Sequence, residues 1–110
     1  MKCAVIGSRN FSDYEMMKAE LSKHDITCIV SGGAKGADSL AEKYASENSL
    51  SVEIYKPDWS LGRHAGILRN KTIVDNADLV IAFWDGASKG TLSSINYAKK
   101  QGKSIFIIEY

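Results

Sequence analysis

Short apolar runs recur along the chain, separated by segments in which apolar residues follow a helical period. Most runs are rich in Val and Ile, and several lack polar alternation, which is typical of strands covered on both faces of a sheet. In order, they occupy residues 3–7, 26–31, 51–55, 79–84 and 104–110. The pattern therefore predicts five strands.

The segments between these runs predict helices. Apolar side chains fall on one helical stripe in the segments after the first, second and fourth runs; Tyr14, Met17 and Leu21 form the first of these stripes. The segment between the third and fourth runs is less regular, although residues 65–75 can form a helix. The chain is thus expected to alternate strand and helix throughout.

Several residues predict where the helices begin and end. Ser12 and Glu15 have the spacing of a capping box that opens the first helix. Thr91 is a candidate N-cap for the last helix, and Gly102 stands where a helix C-terminal glycine belongs.

Strand–helix alternation favours a parallel sheet with right-handed crossovers. We expect an α/β protein with a Rossmann-like, three-layer αβα architecture and a five-stranded, mainly parallel sheet in the order 3-2-1-4-5. No linker or internal repeat interrupts the 110 residues, so they are predicted to form one domain, residues 1–110.

Composition narrows the classes of partner. The chain is 45% hydrophobic and 25% charged with a formal net charge of +1, so we expect neither a nucleic-acid partner nor a membrane. No apolar run approaches the roughly 20 residues of a membrane span, and the start of the chain enters a strand rather than a signal peptide. Cys3 and Cys28 are expected to be buried thiols of a cytoplasmic protein, and the isolated His24 and His64 predict no metal site.

Candidate chemistry lies in the loops that follow the strands, because open parallel sheets bind ligands beyond the carboxyl ends of their strands. Glycines, small hydroxyl residues and cations gather in these loops. The candidate ligand-binding residues are Gly7, Ser8 and Arg9 after the first strand, Ser31, Gly32, Gly33, Ala34, Lys35, Gly36 and Asp38 after the second, Trp59, Arg69 and Asn70 after the third, and Trp84, Asp85, Gly86, Lys89, Gly90 and Thr91 after the fourth.

The loop after the second strand is the sharpest of these candidates. Its three glycines, Gly32, Gly33 and Gly36, let the backbone approach a ligand, and the following helix presents free N–H groups to an anion. Lys35 adds a full positive charge. The spacing matches neither a dinucleotide fingerprint nor a Walker A loop, and a simple strand-to-helix turn that binds nothing stays open as an alternative.

The role of each charged or aromatic side chain near these loops has two interpretations. Arg9, Arg63 and Arg69 are either bidentate clamps for phosphate or solvated surface arginines. The two tryptophans either stack on a base or pack in the protein, and for Trp84 the second reading is favoured. Asp38 and Asp85 either orient a ribose hydroxyl or hold an arginine, and Asp38 alternatively stabilises the first turn of its helix.

Motif blocks along nearly the whole chain carry a family resemblance. They comprise residues 7–9, 30–41, 58–59, 65–70, 77–78, 81–86 and 89–91. In this order they resemble the SLOG superfamily of Smf/DprA and LOG proteins, and within it the small stand-alone YspA- or YpsA-like branch of bacteria and phages. The resemblance implies a Rossmann-like fold, a pocket for a nucleotide or nucleotide-derived ligand, and a homodimer.

The same resemblance weakens one enzymatic reading. LOG-branch members hydrolyse the N-glycosidic bond of cytokinin-type nucleotides with a Pro-Gly-Gly-x-Gly-Thr-x-x-Glu motif, whereas Ser94 stands at the position of that Glu here. A hydroxyl cannot replace the carboxylate in acid–base catalysis. No catalytic residue is therefore assigned.

The leading hypothesis is a sensor or sequestering module that binds a nucleotide or nucleotide derivative, with no other cofactor. Two alternatives stay open: a nucleotide phosphoribohydrolase, and a DprA-like accessory protein for single-stranded nucleic acid. The near-neutral charge counts against the last of these.

Overall fold

The computed structural model describes residues Met1–Tyr110, and strands and helices alternate along all of them. The strands are β1 (Lys2–Gly7), β2 (Cys28–Ser31), β3 (Ser51–Ile54), β4 (Leu79–Trp84) and β5 (Ser104–Glu109). The helices are α1 (Tyr14–Leu21), α2 (Ala37–Glu47), α3 (Ala65–Asp75) and α4 (Lys89–Lys100), and a 3₁₀ segment, Trp59–His64, precedes α3.

The sheet has the order β3-β2-β1-β4-β5, and every neighbouring pair is parallel. The predicted Rossmann-like fold and strand order are therefore confirmed. The chain builds outward from β1 to β3, then returns to the other side of β1 with β4. Gly7 pairs with Phe83, so the carboxyl ends of β1 and β4 lie side by side at the point where the winding direction reverses.

Two apolar layers hold the helices against the sheet. Cys3 and Val5 of β1 belong to the core cluster under α1 and α2. The alternate residues Ala4 and Ile6 belong to the cluster under α3 and α4. Burial on both faces explains why β1 and β4 have continuous apolar sequences rather than a polar alternation.

Two predicted helix caps were wrong by a few residues. Asp13, not Ser12, caps α1, since its carboxylate accepts the Met16 amide at 3.0 Å; an ionised oxygen is the stronger acceptor. Ser88 caps α4, and Thr91 lies inside the helix, where its amide donates to the Ser88 hydroxyl at 3.4 Å.

Most other local expectations agree with the structure. Gly102 follows the last helix with φ +71°, as a C-terminal glycine should. The second strand begins at Cys28, later than the apolar run suggested. Cys3 and Cys28 are both buried free thiols. None of the helices is both long enough and apolar enough to span a bilayer.

Candidate functional site

A cleft of about 430 Å³ opens at the reversal point between β1 and β4. Ten of its fifteen lining residues were candidates from sequence: Gly7, Ser8, Arg9, Ala34, Asp38, Arg69, Asn70, Asp85, Gly90 and Thr91. The other five are Ile6, Asn10, Ile73, Ser88 and Ser94. We call this space the first cleft. The loops after β1 and β4 and the starts of α2 and α4 meet there, as the strand order requires.

Close backbone packing holds the β1 loop in the first cleft. A Cβ atom at Gly7 would lie 2.6 Å from the Cβ of Ala37 and 2.7 Å from the Phe83 carbonyl oxygen, so only glycine fits. The next carbonyl, that of Ser8, accepts the amides of Phe11 and Ala37 at 3.2 and 3.4 Å. Ser8 and Arg9 are thereby anchored against the N-terminus of α2.

The hydroxyl of Ser8 is the unusual polar group of the first cleft. Ser8 is only 5% exposed, and its Oγ makes no hydrogen bond of good geometry within the protein, although the Asp85 carboxylate, whose pKa this hydroxyl helps to lower, lies nearby. An unpaired buried hydroxyl costs roughly 1–3 kcal/mol. A ligand in the first cleft would give this hydroxyl a partner.

The N-terminus of α4 offers free backbone donors to the same space. The Ser88 side chain caps the Thr91 amide, and the Ser88 carbonyl accepts the Leu92 amide. The amides of Lys89 and Gly90 have no partner among the protein's hydrogen bonds, and no acidic residue occupies the first turn. This helix end therefore keeps its capacity for an anion.

The N-terminus of α2, by contrast, carries an acid in its first turn. The Ala37 amide donates to the Ser8 carbonyl, and the Asp38 carboxylate accepts the Ala34 amide at 3.1 Å. Burial raises the pKa of Asp38, and this effect outweighs the Ala34 hydrogen bond and the nearby Arg69 charge, which lower it. A carboxylate therefore faces the first cleft at this position, although the Asp38 and Ser39 amides have no hydrogen-bond partner in the protein.

Asp85 shows the opposite electrostatic behaviour. Its Oδ1 accepts the amides of Ser88 at 2.8 Å and Ala87 at 2.9 Å, and these hydrogen bonds lower the pKa of the Asp85 carboxyl. Asp85 thus holds the α4 cap in place while presenting an ionised group to the first cleft.

The two arginines of the first cleft play different structural parts. Arg69 Nη1 donates to the carbonyl of Gly32 at 2.8 Å and to that of Tyr55 at 3.4 Å, while its Nε donates to Asn70. The exposed Arg9 side chain makes no hydrogen bond or ion pair within the protein. Arg63, the third predicted clamp, is exposed and does not line the first cleft.

A second cleft, of about 370 Å³, adjoins the first, and Arg9, Ala34 and Arg69 line both. It contains three further candidates from sequence, Gly32, Gly33 and Trp59, together with Lys56 and Pro57. We call this space the second cleft.

Six sequence candidates line neither cleft: Ser31, Lys35, Gly36, Trp84, Gly86 and Lys89. Several instead shape the loops. The Ser31 hydroxyl accepts the Gly33 amide at 3.3 Å, and the Trp84 indole donates to the Ser88 carbonyl at 3.1 Å. A Cβ at Gly36 would lie 2.5 Å from the Arg9 carbonyl oxygen, so this glycine allows the two loops to touch.

The missed residues of the first cleft had weak sequence signals. Ser88 precedes the helix in a Ser-x-x-Thr spacing, and Ser94 follows Thr91 on the same helical face. Ser94 is buried in α4 and lines the first cleft. The structure contains no group of three or more His, Cys, Asp or Glu side chains arranged to hold a metal ion.

The matched family is described as YAcAr, the YspA and cpYpsA-related SLOG family, and its profile covers residues 1–62. The chain belongs to this SLOG family. Gene 61 protein of Mycobacterium phage D29 is 33% identical in an alignment that covers 89% of this chain and 88% of the phage protein.

Two solved structures of DNA processing protein A (DprA) share the fold of this SLOG protein. The Streptococcus pneumoniae protein matches with a TM-score of 0.83 and 22% identity, over 99% of this chain and 50% of its own. The Helicobacter pylori protein, solved for its unique single-stranded DNA binding mode, matches with a TM-score of 0.75 and 24% identity, over 97% and 64%. The chain thus spans between half and two thirds of these proteins.

The expectation that this SLOG protein has no nucleic-acid partner, which was drawn from its net charge, is wrong. Its fold is shared by the H. pylori protein, which binds single-stranded DNA. Net charge was a poor guide because it averages over the whole surface, whereas Arg9, Lys56 and Arg69 gather around two adjoining clefts.

Proposed function

We propose that this SLOG protein binds a nucleotide or nucleotide-derived ligand in the first cleft, with a phosphate at the N-terminus of α4. The observation that carries the proposal is the buried hydroxyl of Ser8, which makes no hydrogen bond of good geometry within the protein and lines the same space as the start of α4. A phosphate oxygen that accepts from Ser8 would remove the cost of this unpaired group.

The absence of an acid from its first turn favours α4 over α2 as the phosphate site. Both helix starts have free amides, but Asp38 lies in the first turn of α2, whereas at α4 the Asp85 carboxylate precedes the cap and is already held by the Ser88 amide. Arg9 can turn its unpaired guanidinium toward the same oxygens, because it is exposed and lines the first cleft.

The two carboxylates of the first cleft suit the sugar of a nucleotide. Ionised carboxylates accept hydrogen bonds, so Asp38 and Asp85 would repel phosphate but bind ribose hydroxyl groups. A ligand that carries both an anionic group and hydroxyl donors matches this mixed lining. Nucleotides have that chemistry.

The test is binding of ribose 5-phosphate, nucleoside monophosphates and dinucleotides, measured by calorimetry and thermal shift. Ser8→Ala should weaken binding by about 10-fold or more, since a hydrogen bond to a charged group is lost. The same variant should melt no lower than the wild type, because it removes an unsatisfied buried hydroxyl.

Arginine variants provide a matched pair. Arg9→Gln should weaken binding of the phosphate-bearing ligands. Arg63→Gln, which changes an exposed arginine outside both clefts, should leave their binding unchanged. Unchanged binding in both Ser8→Ala and Arg9→Gln would contradict the proposal. Release of free base from a monophosphate, lost in Asp38→Asn or Asp85→Asn, would instead establish the phosphoribohydrolase reading.

A second candidate function is binding of single-stranded nucleic acid. It is favoured by the fold shared with the H. pylori DprA and by the cations around the two clefts. A labelled oligonucleotide should then bind in a salt-dependent way, and Arg9→Gln should weaken it. Displacement of the oligonucleotide by a mononucleotide, together with weaker binding of both to Ser8→Ala, would locate both ligands in the first cleft.

A further inference from the structure

Trp59 is held in an unusual position for a large aromatic side chain. It is 66% exposed at the start of the 3₁₀ segment. The preceding Asp58 caps this segment, since its carboxylate accepts the Ser60 amide at 3.1 Å. The backbone under Trp59 is therefore ordered by its own hydrogen bonds, while the indole makes little contact with the core.

The surroundings of Trp59 in the second cleft are those of a ligand site. Gly32 and Gly33 line this cleft without side chains, and Gly33 has φ +71°, which larger residues rarely adopt. Lys56 and Arg69 contribute positive charge to the same cleft. An open aromatic face, a bare backbone and cations together are typical of sites that stack a nucleobase beside its phosphate.

We infer that the second cleft is a base-binding subsite in which a nucleobase stacks on the indole of Trp59. The inference rests on the proposed function, because Arg9, Ala34 and Arg69 line both clefts and would join the base to a phosphate in the first. Stacking uses the π-face that every base has, so this subsite discriminates little between bases. The base belongs either to a free nucleotide or to a nucleotide unit of a single strand.

The experiment compares ligands with and without a base. Dissociation constants are measured for ribose 5-phosphate, a nucleoside monophosphate, a dinucleotide and a ten-residue oligothymidylate. Trp59→Ala should raise the dissociation constants of the base-bearing ligands by roughly 10-fold, the scale of one lost stacking contact. It should leave the dissociation constant of ribose 5-phosphate unchanged. Trp59→Phe should retain most of the affinity, because a phenyl ring still stacks.

Leu61→Ala is the matched control. Leu61 lies on the same 3₁₀ segment and is 57% exposed, but it lines neither cleft. All ligands should bind this variant as they bind the wild type. Equal weakening in Leu61→Ala and Trp59→Ala would overturn the inference, since it would indicate a general disturbance of the segment.

Tryptophan fluorescence gives an independent readout. Base-bearing ligands should quench the emission of the wild type, and this quenching should be lost in Trp59→Phe, which keeps only the half-buried Trp84 as a reporter. The shortest ligand whose affinity depends on Trp59 identifies the source of the base as a free nucleotide or a strand.

The two proposals fail in different ways. If Ser8→Ala weakens binding of every ligand while Trp59→Ala weakens binding of none, the base-stacking inference is overturned and the proposed function stands. If no phosphate-bearing ligand binds the wild type, the proposed function fails and the inference falls with it.

Discussion

At the scale of single residues, two polar groups in the first cleft, one buried and one half-buried, work against stability. The Ser8 hydroxyl makes no hydrogen bond of good geometry, and the Asp38 carboxyl has a raised pKa because partial burial disfavours its charge. Natural proteins tolerate such groups where function needs them. Both lie where the proposed ligand would bind.

Asp38→Asn is expected to stabilise the protein at neutral pH. The folded state binds the Asp38 proton more tightly than the unfolded state does, so stability falls as the pH rises above the ordinary value of 3.8. An asparagine oxygen still accepts the Ala34 amide but carries no buried charge. Thermal melts at pH 7 should show a melting temperature higher by a few degrees.

Asp25→Asn serves as the control for this effect. The Asp25 side chain is exposed and makes no hydrogen bond or ion pair in the structure. The melting temperature of Asp25→Asn at pH 7 should equal that of the wild type. A lower melting temperature for Asp38→Asn at pH 7 would show that the ionised carboxylate stabilises α2 more than its burial destabilises the fold.

At the scale of elements, the start of α4 links local stability to the first cleft. Ser88 caps the helix, its amide is held by Asp85, and its side chain lines the first cleft. The cap of α1, Asp13, has the same local role but lies outside both clefts. The two caps form a natural pair for comparison.

Ser88→Ala and Asp13→Ala should each destabilise the protein by about 1 kcal/mol through loss of a cap. Chemical denaturation would measure this change in the free energy of unfolding. Only Ser88→Ala should also weaken binding of the nucleotide, because α4 is the one of the two helices whose start faces the first cleft. Equal ligand affinities in the two variants would argue against a phosphate at α4.

At the scale of the whole molecule, the first cleft exists because three elements converge at Gly7. A Cβ there would collide with Ala37 at the start of α2 and with Phe83 in β4. Gly7→Ala should therefore destabilise the fold by roughly 1–3 kcal/mol. Urea denaturation measures the difference.

Gly66→Ala is the matched control for that substitution. A Cβ at Gly66 would meet nothing within 4 Å, and this residue lies in the first turn of α3. Alanine should leave stability unchanged or raise it by up to about 1 kcal/mol, since it favours a helix. If Gly7→Ala is as stable as Gly66→Ala, the approach of the elements is looser than the structure indicates.

The homodimer expected from the family resemblance stays a prediction at this scale. The edge strand β5 leaves Phe106 and Ile107 exposed. Sedimentation equilibrium of the wild type measures the oligomeric state directly.

The fold could be predicted from particular sequence features. Continuous apolar runs predicted β1 and β4 because both faces of these strands are covered, and handedness then limited the strand order. The helix caps were less predictable, since Ser12 and Asp13 compete for one position and geometry selects between them.

The first cleft was predictable in place but not in detail. Sequence alone located Ser8 and Arg9 beside the loops after β2 and β4, because parallel strands end at one edge. It offered the loops before both α2 and α4 as anion sites, the one before α2 being the sharper candidate; in the tertiary structure the Ser8 carbonyl accepts the Ala37 amide and Asp38 lies in the first turn of α2, whereas the first turn of α4 carries no acid. Periodicity and turn chemistry are local and can be read along the chain; whether a donor is free depends on which distant groups fold against it.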